Sequence, residues 1–277
     1  TYFNPSLAGQ TLYLRVYNYN NEEGGTYSIC LWEPTMPAHD LCANAIPLTV
    51  GSTCSMSSFT NAYALAEATS VSPNPTCGFY AGGDVWHTFV MPTSGKLRVE
   101  RTNGTANAQI AVYQGTCGSM SQLFCMQLDG DRTYYNPSLA GQTLYMRVYN
   151  YNNEEGGTYS VCVWEPPIPV NDNCANAIPV TVGGTCSMIS STNAYATSES
   201  TSIAPNPSCG FYSGGDIWYK LIMPTTGNLK IDRTNSAGAN AQWAMYTGTC
   251  GSFSQIVCAQ LTSSTTLANA SLAGQTL

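Results

Sequence analysis

Charge is what this sequence has least of. Charged side chains make up 9% of its 277 residues, against about 25% in an ordinary soluble chain. So few charges exclude a coiled coil, a long exposed charged helix and an acidic disordered tail. Nine Lys and Arg stand against sixteen Asp and Glu, a formal charge of −7. There is no basic footprint for a phosphate backbone, so neither nucleic acid nor an anionic membrane surface is expected as a partner. No apolar run approaches the ~18 residues of a membrane span. The only histidines are His39 and His87, and no CxxC pair, P-loop, dinucleotide fingerprint or HExxH occurs. The chain opens at Thr1 without an initiator Met or an apolar signal core. It is read as processed, or as a window of something longer.

What is plentiful is Tyr (18), Gly (25) and Pro (15). That mix favours strands and turns over helices. Short Val/Ile/Tyr/Thr stretches alternate with Gly/Pro/Asn punctuation, which predicts an all-β chain of tandem jelly-roll-like antiparallel β-sandwich domains.

An internal repeat dominates. Residues 4–34 (NPSLAGQTLYLRVYNYNNEEGGTYSICLWEP) return as 136–166, with Leu14/Met146, Ile29/Val161 and Leu31/Val163 as the three differences. DLCANAIPLTVGSTCSM (40–56) returns at 172–188 and PNPTCGFYAGGDVW (73–86) at 205–218, all offset by 132. After a one-residue insertion, YQGTCGSMSQLFC (113–125) returns at 246–258. The second copy runs to 270–277 (ASLAGQTL), matching 137–144, and its missing tail is what residues 13–34 carry. The expected domains are therefore 1–34, the closing hairpin of a preceding or neighbouring repeat; 35–166, a complete repeat; and 167–277, a repeat without its last strands.

In 143–149, Leu144, Met146 and Val148 alternate with Tyr145, Arg147 and Tyr149. In 158–164, Tyr159, Val161 and Val163 alternate with Ser160, Cys162 and Trp164. Each is the signature of a half-buried strand, and the polar link 150–157 predicts a hairpin. Val85–Met91 and Ile217–Met223 are apolar on both faces, as central strands are, and 96–101 and 109–113 read as further strands. About eight or nine strands are expected per unit.

Twelve cysteines, six per unit at matching positions, predict a disulfide framework and an oxidising compartment. Six cysteines allow fifteen pairings. The expected set is Cys54–Cys77 with Cys186–Cys209, Cys117–Cys125 with Cys250–Cys258, and Cys30–Cys42 with Cys162–Cys174 clamping the Pro-rich linkers.

The repeat is also a test for chemistry, because a site built on it should appear twice. His39 and His87 become Asn171 and Tyr219, so nucleophile–histidine arrangements lose their base. Glu22-Glu23 and Glu154-Glu155 recur, but as a solvated loop; Asp129 and Asp131 do not recur. Asp84 and Asp216 recur in GGDVW and GGDIW, where they are expected to bond turn amides. No enzyme is expected and no cofactor, calcium at Asp84 and Asp216 being the one candidate the residues admit. His87 is expected at the sheet surface. Tyr17, Tyr19, Tyr149 and Tyr151 flank Asn-rich loops; stacking on a sugar is weighed against a plain sheet surface, and the latter is favoured.

The pattern D-x-C-x-x-A-I-P (Asp172, Cys174, Ala177, Ile178, Pro179), with P-x-C-G, D-[VI]-W, Y-x-G-T-C-G and R-V-Y…Y-S-[IV]-C, resembles a repeat of secreted and surface proteins of Bacteroidota. Pre-peptidase C-terminal-like β-sandwich domains are its relatives. The resemblance implies an extracellular module serving adhesion, binding or architecture, and no catalytic residue. The first functional expectation is a structural subunit of an extracellular, pilus-like filament. Tyr13, Leu14, Val16, Tyr17, Tyr27, Ile29 and Leu31 of one chain would complete the last unit of the next, as in donor-strand complementation. A longer covalent array would have the same shape. The alternative expectation is a carbohydrate-binding or adhesive module of a secreted protein, with surface glycans as partners.

Overall fold

The computed structural model describes residues 4–19, 23–127, 130–151, 156–212, 214–235, 240–260 and 264–277. Asp129, Glu22, Glu154 and Glu155 lie outside the described residues. The chain divides into two units, Thr1–Glu165 and Pro166–Leu277.

The first unit is a two-sheet sandwich of nine strands: β1 (Ile46–Pro47), β2 (Ser57–Thr60), β3 (Tyr80–Val90), β4 (Lys96–Asn103), β5 (Ala108–Thr116), β6 (Ser119–Met126), β7 (Asp131–Tyr135), β8 (Thr143–Tyr151) and β9 (Thr158–Trp164). One sheet has the order β1-β3-β8-β5-β6, the other β2-β9-β4-β7. All pairs are antiparallel except the short edge pair β1–β3. The period-2 alternation decides the faces. Leu144, Met146 and Val148 of β8, Ile110 and Val112 of β5, Leu97 and Val99 of β4, and Val161 and Val163 of β9 meet in the core between the sheets. The turn into β4 needs glycine. Gly95 has φ +71, and a Cβ there would lie 2.3 Å from Pro137 Cα.

The segment 143–164 is not the expected hairpin. β8 pairs with β3 and β5, whereas β9 pairs with β2 and β4. The chain therefore passes from the middle of one sheet to the middle of the other. Both strands have an apolar face that must meet the same core from opposite sides, so an arch across the sandwich buries both.

The disulfides also differ from the expected set. The first unit is closed by Cys42–Cys117, Cys54–Cys162 and Cys77–Cys125. The second has Cys174–Cys250 and Cys209–Cys258. None of Cys30–Cys42, Cys54–Cys77, Cys117–Cys125, Cys162–Cys174, Cys186–Cys209 or Cys250–Cys258 forms. Those pairs joined near neighbours in sequence, whereas the sandwich folds distant segments together. Cys54–Cys162 spans 108 residues and ties the lead-in to β2 onto its partner β9. Cys30 and Cys186 are free and exposed.

The second unit repeats the local structure without the central strands. Its strands are β10 (Ile178–Pro179), β11 (Tyr219–Lys220), β12 (Asn228–Asp232), β13 (Trp243–Thr249), β14 (Ser252–Ala259) and β15 (Ser264–Ala268). They form three separate pairs, β10-β11, β12-β15 and β13-β14. The eleven residues of β3 shrink to two in β11, and Ile189, the counterpart of a β2 residue, is exposed. A strand flanked by nothing has no ladder to hold it. A small core remains around Met223, Leu229, Met245 and Leu272.

Residues 11–19 and 23–34 form no strand. Tyr13 is 95% exposed and Leu31 80%, and Leu12, Leu14, Val16, Tyr17, Tyr27 and Ile29 are exposed as well. Of their counterparts Tyr145 is half-buried, and Leu144, Met146, Val148, Tyr149, Tyr159, Val161 and Val163 are buried.

Candidate functional site

The outer face of the five-stranded sheet carries the densest polar chemistry. Outward alternation from β3, β5 and β8 sets Trp86, Tyr113, Arg147 and Tyr149 there, and a long loop before β3 covers them. Beneath it the Arg147 Nε donates to Asp84 Oδ2 at 2.8 Å, and both side chains are fully buried. The Tyr80 hydroxyl donates to Asp84 Oδ1 at 2.7 Å, and so does the Glu67 backbone N–H at 3.1 Å. Arg147 Nη1 donates to the Pro73 carbonyl at 3.1 Å. The guanidinium lies over the Tyr80 and Trp86 rings, at 4.3 and 5.1 Å. Tyr149 donates to the Cys77 carbonyl at 2.6 Å, and Cys77–Cys125 staples the loop. Asp84, expected at a turn, is thus held by an ion pair as well as by an amide. The site is closed to solvent and works as a second core.

The sequence reading passed over Glu67 and its repeat Glu199, and met Asp172 only as part of the family pattern. Glu67 and Glu199 each accept the backbone N–H of the first half-cystine, Cys42 or Cys174, at 2.7 Å. Asp40 and Asp172 accept from the amides of Leu65 and Thr197, both at 2.5 Å. Burial pushes the Asp40 carboxyl up to about 6, opposed by the Leu65 amide and aided by the charges of Asp84 and Glu67. The A-x-x-E spacing (Ala64 to Glu67, Ala196 to Glu199) and the D-x-C spacing, each present twice, were the available signal.

His87 is not at the surface as expected. It is fully buried on the inner face of β3, and its Nε2 shares a 2.7 Å hydrogen bond with the Tyr159 hydroxyl. The strand there is central, so both of its faces are covered. Burial, with the neighbouring His39 ring, pulls its pKa down to about 3. The folded value lies below the unfolded one. The stability it contributes is therefore complete above pH ~6.5 and lost as pH falls towards 3. His87→Gln, which has no proton to bind, should flatten the acid limb of unit 1 unfolding between pH 6 and 4, followed by fluorescence. An unchanged limb would remove His87 as the trigger.

In the second unit Asp216 keeps its tyrosine, Tyr212, at 2.6 Å and the Glu199 N–H at 3.4 Å. Among the described residues no arginine pairs with Asp216. Asp216 and Cys186 both line an open cleft of about 1900 Å3, whose walls include Trp218, Leu229, Ile231 and Met245. In the first unit that space is filled by β8 and β9.

One exposed aromatic recurs and was also missed. In the CGFY sequence, Tyr80 turns inward onto Asp84, which sends Phe79 the other way. Phe79 is exposed and meets the half-buried Tyr151 edge-on at 5.5 Å. Phe211 is fully exposed at the matching position. Of the tyrosines considered for sugar stacking, Tyr149 is buried, Tyr151 lies beside Phe79, and Tyr17 and Tyr19 are on the exposed segment. Among the described residues the one cluster with metal-ligand spacing is Cys54, Glu100 and Cys162, and its two sulfurs are already joined. No helix among the described residues is long and apolar enough to cross a membrane.

A family model described as galactose binding domain-like, associated with the type IX secretion system, matches residues 38–162 and 170–273. The first match includes β8 and runs through Cys162. Solved structures similar to part of this chain include a periplasmic inhibitor of g-type lysozyme, PliG, from Aeromonas hydrophila (17% identity, 43% of this chain and 96% of that one, TM-score 0.28). Others are the pre-peptidase C-terminal domain of a collagenase from Bacillus anthracis (14%, 43% and 95%, 0.28) and CorA, a surface-associated copper-binding protein of Methylomicrobium album BG8 (9%, 44% and 99%, 0.28). None of the curated proteins matches the chain. The match agrees with the expected resemblance to a secreted repeat of Bacteroidota type, and the chain belongs to the galactose binding domain-like family, in two tandem copies.

Proposed function

We propose that this is a non-enzymatic, extracellular adhesive module whose galactose binding domain-like copies hold surface glycans. The family and the disulfides support export. The observation that carries the reading is the exposed Phe79, repeated as Phe211. A loop stapled by a disulfide displays each ring to solvent at the same place, where burial would have been favourable by ~1.5–3 kcal/mol. A ring held open on a rigid loop is a stacking surface for the apolar face of a sugar. A glycan array should return galactose-containing structures, and Phe79→Ala with Phe211→Ala should weaken binding roughly tenfold. An array without hits, or hits indifferent to both changes, would sink the reading.

A second reading is a structural one: sandwiches joined end to end in an extracellular fibre. It is favoured by residues 11–19 and 23–32, whose apolar side chains are exposed and join no sheet, and by the open cleft of the second unit.

A further inference from the structure

The ring at Phe79 has polar neighbours that also occur twice. The loop leading into β5 differs between the units in length and in sequence, NGTANAQ at 103–109 against NSAGANAQ at 235–242, yet both copies close on Asn-Ala-Gln. An arginine grips that segment in each unit: Arg101 Nη1 donates to the Ala108 carbonyl and Arg233 Nη1 to the Ala241 carbonyl. Strand register brings the segment to the ring. The Tyr151 backbone N–H donates to the Asn107 carbonyl at 3.1 Å, and the Tyr151 ring is the one that meets Phe79. Gln109 stands opposite Tyr149, and its Nε2 donates to Asn107 Oδ1 at 3.4 Å. That bond engages the Asn107 oxygen, while the Asn107 NH2 has no acceptor among the described residues. A further amide lies beside the residue that precedes the ring. Gly78 has φ +71, and a Cβ there would lie 3.8 Å from Gln127 Cγ. In the second unit Gly210 has φ +75, and its Cβ would meet Gln242 Oε1 at 2.1 Å. Gln127 recurs as Gln260. Glycine permits both the left-handed turn and the close approach of the amide.

Packing alone does not account for these side chains. Gln109 is buried, and its Oε1 has no donor among the described residues. A buried acceptor left unmet is a cost that an apolar side chain of the same size would avoid. Asn107 and Gln127 are half-buried beside the exposed ring. We propose that Asn107 and Gln127 hydrogen-bond the hydroxyls of a neutral pyranose stacked on Phe79, with Gln109 as the positioning residue that orients Asn107. Asn240, Gln242 and Gln260 repeat the set for Phe211. This rests on the glycan-binding reading and supplies the polar half of its site. An aromatic face accepts the apolar side of many sugars and chooses little among them. A primary amide offers two donors and an acceptor in fixed directions, so it can sense which hydroxyls are present. The recurring groups beside the ring are uncharged, and the neighbouring cations are buried and engaged, Arg147 on Asp84 and Arg101 on the Ala108 carbonyl. That favours a neutral sugar over an anionic one.

The test uses the 277-residue protein carrying Phe211→Ala, which leaves one ring. It is isotope-labelled and titrated by NMR with methyl β-galactopyranoside and each of its monodeoxy analogues. The side-chain NH2 signals of Asn107 and Gln127 should move on binding, and Asn107→Ala and Gln127→Ala should each raise Kd about three- to tenfold. A deoxy analogue that binds the parent weakly should lose nothing further on Asn107→Ala, because the contact is already gone. Gln109→Met should erase the same discrimination while Phe79 still binds. Binding that needs Phe79 but ignores Asn107→Ala and Gln127→Ala would overturn the assignment and leave the glycan-binding reading. Equal losses for every analogue, tracking a lowered melting temperature, would also overturn it, since the amides would then only hold the fold. Failure of the protein with both rings intact to bind any of these sugars would overturn the two together.

Discussion

Arg147→Met is expected to cost the first unit about 3–5 kcal/mol, because it strands the Asp84 carboxylate in a fully buried site. The guanidinium is a charge partner and also the donor to Pro73 and the cation over Tyr80 and Trp86. Its loss therefore loosens the covering loop as well. The unit 1 transition should fall by roughly 10–20 °C in calorimetry. Arg147→Met with Asp84→Asn removes the stranded charge and should recover part of that loss. The repeat supplies the control. Asp216→Asn, in a unit without the arginine, should move its own transition far less. An unshifted unit 1 transition in Arg147→Met would mean that water reaches Asp84 and that the outer face is not the second core described above.

The second large effect is expected at Cys54–Cys162. Replacing both by Ser releases a 108-residue closure, which the loop-entropy account puts at about 4–5 kcal/mol and measured native disulfides at about 2–5. The double change avoids leaving a lone thiol free to pair with Cys30 or Cys186. Hydrogen exchange should locate the effect: protection should fall first in β9 and in β2, which is four residues long and pairs with β9 alone. Uniform loss across both sheets would point instead to global unfolding and a bond of no local importance. A first unit weakened this way approaches the condition of the second, whose Cys186 has no mate.

The class of fold was readable from composition and period. Leu144, Met146 and Val148 had to share a face, and a strand whose other face carried Arg147 had to solve the problem of that charge. What could not be read was which sheet each strand joined. A hairpin and an arch present the same alternation, and only the need to fill two slots, one in each sheet, selects the arch. The disulfides failed for the same reason. Cysteine spacing reports distance along the chain, whereas Cys42–Cys117 and Cys77–Cys125 report distance across the outer face of a sheet. Phe79 was passed over because an exposed ring looks like a core ring in sequence. Its neighbour Tyr80 had to be seen turning onto Asp84 first.

The sharpest division runs through one repeated segment. The segment N-[PA]-S-L-A-G-Q folds alike wherever it stands. Asn4, Asn136 and Asn269 each accept from the backbone N–H two residues on, at 3.1, 3.1 and 3.0 Å, and Gln10, Gln142 and Gln275 each reach back four residues to a serine carbonyl. Those contacts are short-range, so the residues themselves suffice. TLYxRVYNY follows directly and does not behave so. At 143–151 it is a buried central strand, and at 11–19 it is extended and bare. A strand satisfies neither its amides nor its apolar face from within, so its state depends on the sheets that lie on either side of it.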